Sequence, residues 1–404
     1  MNRRWGHSGW SSWDSERLAI LVGLLASSPT TQPPVDGQTA AQAAPARRLW
    51  PRILAIIAFF VAFEGILFHT GLYSSIVEPD STTGYMEIQL RNEMRRPKPN
   101  RNQVLAVGHS RMSLLPRVVN EEKPGTGYTY ASIALGGTSP RTWYYALRAV
   151  DPTARNYAAI VIPSDDYNDP ESYDYQSERE TDLHYLIARL GLRDLGEFPW
   201  TYRDKKLQWQ IVRGMIFKET IYKRDFLEFL DHPVARIAKV RYYNSDSAGW
   251  YYGYGGVDEN LTGLQVDWQR KTIQFPPGVP ADRQQDVKNE LFPTRPPDEG
   301  RETAYLRYWY GRLIDYYRGS GTKLIFMRVP RAAVSPPDEP VKLASAVRQI
   351  ASQPDVIVLD ERVFNQLEHP DLFWDGWHMN RPGMEAFSRL LATEVRRVLG
   401  PPQP

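Results

Sequence analysis

No cysteine occurs anywhere in the 404 residues. Disulfide staples, thiolate metal sites and a cysteine nucleophile are therefore excluded, while the redox compartment stays open, because a cysteine-free chain tolerates either. An excess of one charge is also missing: 49 Lys and Arg stand against 47 Asp and Glu, leaving +2 with the basic residues scattered. Such a balance carries no electrostatic footprint of a nucleic-acid binder. Histidine is scarce, and His184, His232 and His369 share no spacing suited to a metal ion. Neither a metal nor a cofactor is expected. Aromatic residues are abundant instead, with 12 Trp and 23 Tyr, many of them clustered.

Long apolar runs are almost absent, and the one exception decides topology. Residues 53–72, ILAIIAFFVAFEGILFHTGL, are apolar apart from Glu64 and His69. Twenty helical residues reach about 30 Å, the hydrocarbon thickness of a bilayer. The run is read as a single transmembrane helix rather than a buried core helix, because it follows a Pro/Ala/Gln/Thr-rich linker and stands outside any α/β repeat. Arg47, Arg48 and Arg52 precede it, and no Lys or Arg follows before Arg91. By the positive-inside rule the N-terminal side is cytoplasmic and the remainder lies outside, in a periplasmic or equivalent space beyond the cell (inner) membrane. The expected layout is a mostly disordered cytoplasmic region over 1–46, an uncleaved anchor over 50–75 and an extracytoplasmic domain over 78–404. The earlier run LAILVGLLA, residues 18–26, is too short to span. Glu64 is costly in lipid, so it is expected to face a partner helix or to stay neutral.

Beyond the anchor, short apolar runs end in turn residues. NQVLAV leads into Gly108-His109-Ser110-Arg111, TYASIAL into Gly136-Gly137, and YAAIVIP into Ser164-Asp165-Asp166. Ser139 and Pro140 open a helix whose apolar positions Trp143, Ala146, Leu147 and Val150 follow helical spacing. The rhythm breaks over about 167–298 and resumes with a helix striped by Leu306, Trp309, Tyr310, Leu313, Ile314 and Tyr317. The strand KLIFMRVP, a helix near 340–352, the strand VIVLDE and a last helix capped by Asn380 complete the pattern. This predicts an α/β fold, a parallel sheet flanked by helices in a flavodoxin-like three-layer arrangement, split by a large aromatic-rich insertion. Ligands of such sheets sit beyond the C-terminal strand ends, where Ser110, Gly137, Asp165, Arg328, Asp375 and His378 all fall.

A serine hydroxyl becomes a nucleophile when a base accepts its proton, and a histidine serves when a carboxylate fixes its tautomer. Asp375-Gly376-Trp377-His378 offers orienter and base on one short loop, and Ser110 offers a hydroxyl on a strand-end turn. The backbone N–H groups of Ser110 and Gly137 are candidate oxyanion donors. This ordered set, Gly-x-Ser after the first strand, glycine after the second and Asp-x-x-His before the last helix, resembles the SGNH/GDSL hydrolase superfamily. With the anchor, the chain looks more specifically like the membrane-anchored SGNH-like proteins of bacterial cell-surface polysaccharide O-acylation, relatives of alginate O-acetylation and teichoic-acid D-alanylation proteins. The resemblance covers residues 102–165 and 300–400. It implies Ser110 as nucleophile, His378 as base, Asp375 as orienter and Gly137 as oxyanion donor. It also implies a cell-envelope polysaccharide as substrate and a membrane-bound O-acyltransferase as partner.

The chain departs from that pattern twice. His109 stands where an aspartate is usual, and Pro163-Ser164-Asp165-Asp166 replaces the usual Gly-x-Asn-Asp. An ionised Asp165 cannot donate to an oxyanion, so the resemblance points to a transferase-type or a degenerate member rather than an efficient soluble esterase. Two readings stay open: a serine esterase or O-acyltransferase working through an acyl-serine, and a non-catalytic adaptor that binds polysaccharide and an acyltransferase. Arg328 is a candidate substrate clamp. An aromatic loop over 242–254, with Trp250 and Tyr252, is a candidate sugar-stacking lip, and packing of its rings onto the core is the equal alternative.

Overall fold

The computed structural model describes residues 46–98, 101–113, 118–120, 127–164, 178–245, 259–292, 301–332 and 345–402. The chain divides into two units, Met1–Ala58 and Phe59–Pro404. Described residues of the first belong to the opening turns of helix α1 (Ala46–Glu64), which a π turn over Gly65–His69 extends. The stretch Trp50–Ser75 is long and apolar enough to cross a membrane. Many of its rings and aliphatic chains stand exposed, among them Phe59, Phe60, Phe63 and Ile66, while Phe68 and Tyr73 near its end are buried. Glu64 is buried: its carboxylate accepts the Glu219 backbone N–H at 3.2 Å and lies 3.8 Å from His69. The expected partner helix is thus supplied by the chain itself.

After the apolar stretch comes α2 (Thr82–Arg95), capped by the Ser81 hydroxyl. Strands β1 (Gln103–Gly108), β2 (Thr129–Ala134), β3 (Ala159–Pro163), β6 (Lys323–Met327) and β7 (Val356–Val358) form one five-stranded sheet, every pairing parallel, in the order β2-β1-β3-β6-β7. Counting sheet strands alone, this is the order 2-1-3-4-5, with its switch point between β1 and β3. All six residues of β1 are buried. Alternation explains this: Leu105 and Val107 enter one apolar cluster with α3 (Pro140–Val150) and α9 (Arg301–Tyr317), while Val104 and Ala106 enter the other with α11 (Arg381–Leu399). The three-layer α/β arrangement read from the sequence is present.

The insertion is more regular than its sequence implies. It carries α4 (Thr181–Leu186), α5 (Lys205–Ile216), α6 (Glu219–Asp231), α7 (Pro233–Ser245), a small antiparallel pair β4 (Gln265–Asp267) and β5 (Thr272–Gln274), and α8 (Ala281–Leu291). Tyr242 and Tyr243 lie on α7 rather than in a loop, because Pro233 opens a helix there and Tyr243 ties it to Asp80 at 2.8 Å. Trp250 and Tyr252 lie outside the described residues, as do Asp165, Asp166, the run 18–26 and the linker before residue 46. Among the described residues 345–350 form helix α10 (Ser345–Ile350), the counterpart of the helix expected near 340–352.

Gly108 closes β1 against the side chains of Met112 and Pro163. A Cβ there would stand 2.6 Å from the Met112 side chain and 2.7 Å from the Pro163 ring, which cannot swing away. At Gly136 an added carbon meets nothing within 4 Å. Denaturant titration of the detergent-solubilised full chain should therefore show Gly108→Ala destabilised by about 1–3 kcal/mol and Gly136→Ala changed by no more than about 0.5 kcal/mol. Equal stability of the two variants would contradict the packing described.

Candidate active site

The chain reverses sharply after Leu367 and closes a tight loop before α11. Phe373 and Met379 form an isolated antiparallel bridge, and the Trp374 N–H donates to the His378 carbonyl at 2.8 Å. Inside this loop one Asp375 oxygen accepts the backbone N–H groups of Trp377 at 2.8 Å and of His378 at 2.6 Å. Its other oxygen faces His378 Nδ1 at 2.7 Å. The three-residue spacing lets one carboxylate fold its own turn and still orient the imidazole. The loop is then pinned to its surroundings: Asn380 accepts from the Gly383 N–H and donates to the Asp371 carbonyl, and a Cβ on Gly383 would lie 2.1 Å from the Leu372 carbonyl oxygen. Only glycine fits there.

Ser110 begins a one-turn 3-10 helix, Ser110–Met112, just after β1. His109 caps that turn, its Nδ1 accepting the Arg111 N–H at 3.3 Å. A histidine here thus does the local work open to an aspartate. Ser110 Oγ lies 2.8 Å from His378 Nε2. With Nδ1–H directed at Asp375, Nε2 is the ring nitrogen left to accept the serine proton. Arg111, buried, donates to the carbonyls of Val329 and Pro330 and places its guanidinium 5.6 Å from the Trp377 ring, so one side chain braces both halves of the site. The Ala332 N–H, which donates to the Gly376 carbonyl at 3.1 Å, adds a second brace.

The carboxyl of Asp375 is buried. Burial alone pushes its pKa up, but the His378 charge, the ring hydrogen bond and the two backbone N–H groups outweigh it and hold the carboxyl below the ordinary range. Arg283 on α8 adds positive field from the insertion side, its guanidinium 5.0 Å from the Trp374 ring. Burial, opposed by Asp375 and Glu259, pushes Arg283 down from its usual value.

Gly137 follows β2 with φ +62, a conformation glycine adopts freely. Among the described residues no carbonyl or side chain takes up the backbone N–H of Gly137 or of Ser110. Arg179 comes close to this glycine: a Cβ on Gly137 would be 3.3 Å from its Nη2. Behind it a buried group fixes the rim, in which Asp182 accepts from Ser139 at 3.1 Å, Thr142 at 3.0 Å and Arg141 at 3.3 Å. Nothing in the sequence pattern points to Arg179, Arg283 or Asp182, because they lie in the insertion, where no strand-end position marks them. Ser164, from the altered third block, is buried, and its backbone N–H donates to the Met327 carbonyl.

Ser110, Asp375 and His378 are thus brought together, with Gly137 on the same edge of the sheet. Arg328 is not available to a substrate. It is 1% exposed, forms an ion pair with Glu368, donates to Asn365 Oδ1 and donates to the Glu361 carbonyl at 2.8 Å. The candidate clamp is a tie between β6 and the segment leading to the Asp375–His378 loop. Comparison of the chain with protein-family models, curated proteins and solved structures found no match.

The lowered Asp375 pKa fixes the sign of a pH effect. An unfolded aspartate titrates near about 3.9, and the folded one lies lower, so the contribution to stability is complete above that value and drains away as pH falls through the folded pKa. Thermal melts of wild type and Asp375→Asn should differ most near neutrality and converge in strong acid. A Tm gap that stays constant across the carboxylate range would refute the assignment.

Proposed function

We propose that this chain is a membrane-anchored, SGNH-like serine esterase or O-acyltransferase. Its domain beyond the cell membrane acts on acyl esters, acetyl in the simplest case, of a cell-envelope polysaccharide. The observation that carries the reading is the continuous relay Ser110–His378–Asp375, with heavy-atom separations of 2.8 and 2.7 Å. The long apolar stretch Trp50–Ser75 supports the anchor. A membrane-bound O-acyltransferase is the partner such an anchor would meet.

In the proposed cycle Ser110 Oγ attacks an acyl carbonyl as its proton passes to His378 Nε2. The carbonyl oxygen becomes an oxyanion facing the backbone N–H groups of Ser110 and Gly137, with the Arg179 guanidinium beside the latter. The C–O bond to the leaving group breaks, and His378 returns the proton to the departing oxygen. An acyl-serine remains. An incoming hydroxyl, from sugar or water, then gives its proton to His378, attacks the ester and releases Ser110 with its proton restored. Asp375 stays ionised throughout and steadies the imidazolium.

The full chain should react with a serine-directed fluorophosphonate, detected by intact mass, and Ser110→Ala and His378→Ala should each abolish labelling. Acyl transfer to an acceptor should fall by about a thousandfold or more in either variant. A wild-type chain that stays unlabelled while binding polysaccharide would reject catalysis and leave the adaptor reading standing.

A further inference from the structure

The corner between α5 and α6 carries apolar surface that the fold does not cover. Ile216 is 38% and Phe217 39% exposed. The corner is bound to the end of the apolar stretch: His69 Nε2 lies 3.1 Å from the Ile216 carbonyl, and Glu64 receives the Glu219 N–H. Beside these contacts Phe63 and Ile66 are 42% and 60% exposed. The corner therefore stands level with side chains of the stretch that has the length and composition to cross a membrane. From there α6 climbs along the same segment, Tyr222 stacking on Phe68 at 5.5 Å and Phe226 and Phe229 meeting Tyr73 at 5.4 and 6.4 Å.

The outward face of α5 grades away from the corner as a bilayer interface does. Ile216 is followed, going back along the helix, by exposed Arg213, by Trp209 at 67% exposure and by exposed Lys206 and Lys205. Trp209 lies seven residues from Ile216, about 10 Å along a helix. Apolar side chains deepest, then an arginine able to reach outward, then a tryptophan and lysines, is the order that hydrocarbon, interface and water select. Polar groups at that depth are covered: Phe217 and Thr220 N–H groups donate to the Arg213 and Phe217 carbonyls, and Lys218 is buried.

We infer that the α5–α6 corner is a second membrane attachment, an apolar wedge seated among the acyl chains of the outer leaflet beside the anchor helix. The inference rests on reading Trp50–Ser75 as a membrane span. Its reach extends to the catalytic rim through α4: Leu183 packs against Gly214 of α5, and the Tyr185 hydroxyl donates to the Gly136 carbonyl at the end of β2. An acyl donor carried by the membrane would meet a domain held at two points rather than swinging on one.

The absence of cysteine makes the test direct. Single variants Phe217→Cys, Ile66→Cys and Asp315→Cys of the full chain carry a nitroxide label, are reconstituted in phosphatidylcholine/phosphatidylglycerol vesicles and are probed by power-saturation EPR with oxygen and a water-soluble nickel chelate. Asp315 is a surface site, its side chain 70% exposed. Oxygen should exceed nickel accessibility at 217 and 66, and the ratio should reverse at 315. If 217 behaves like 315 while 66 keeps its lipid signature, the wedge is overturned and the span survives. Aqueous behaviour at 66 as well would remove the span and the wedge together. Low accessibility to both probes at 217 would mean protein rather than lipid covers the corner, and would also overturn it.

Discussion

One carboxylate carries two incompatible duties unless its turn is built around it. Asp375 must be buried to orient a histidine firmly, yet a buried charge is expensive unless paired and hydrogen-bonded. The loop resolves this by committing one oxygen to two backbone N–H groups and the other to the imidazole. Moving the histidine one residue in either direction would break both arrangements, since the N–H groups that satisfy the carboxylate belong to the residues that position the ring. Everything downstream follows: the bridge between Phe373 and Met379, the glycine forced at 383 and the asparagine cap of α11 all hold this turn against the sheet.

How much of this was legible in the sequence depended on what each residue had to announce itself by. Strands β1, β3 and β6 are buried on both faces, so they read as unbroken apolar runs, and α3 and α11 show clean stripes with capping residues. Helix α2 leaves no such mark, because Glu87, Gln89 and Glu93 are buried within it and interrupt the pattern. Glu87 and Glu93 pair with their neighbours Arg91 and Arg96, and all three also reach remote groups: Arg189 for Glu87, the Tyr157 hydroxyl for Glu93 and the Ala134 carbonyl for Gln89. The insertion helices were blurred for the opposite reason, since their outward faces keep Trp209, Leu227 and Val234.

The triad was legible because order and spacing suffice to nominate it. Arginines were not. Arg328 occupies a strand-end position like a ligand-binding residue, but Glu368 forty residues onward supplies a buried partner that no local pattern reveals. Arg141 likewise lies fully buried against Asp182 and 3.7 Å from the Tyr202 ring. Removing one member of such a pair leaves an uncompensated charge. The insertion and the rim are therefore bound by electrostatics as well as by packing.

Ser110 and His378 stand 268 residues apart in sequence. The hydroxyl and its base come from opposite ends of the domain, and contacts of such separation form only after the intervening loop-closure cost has been met. During synthesis the serine emerges long before the turn that places a histidine beside it. A chain cut short before Asp375 would hold a serine on a strand-end turn with no imidazole beside it. The nearness of the two side chains is thus a property of the closed fold, which a chain lacking the 375–378 loop has no means to hold.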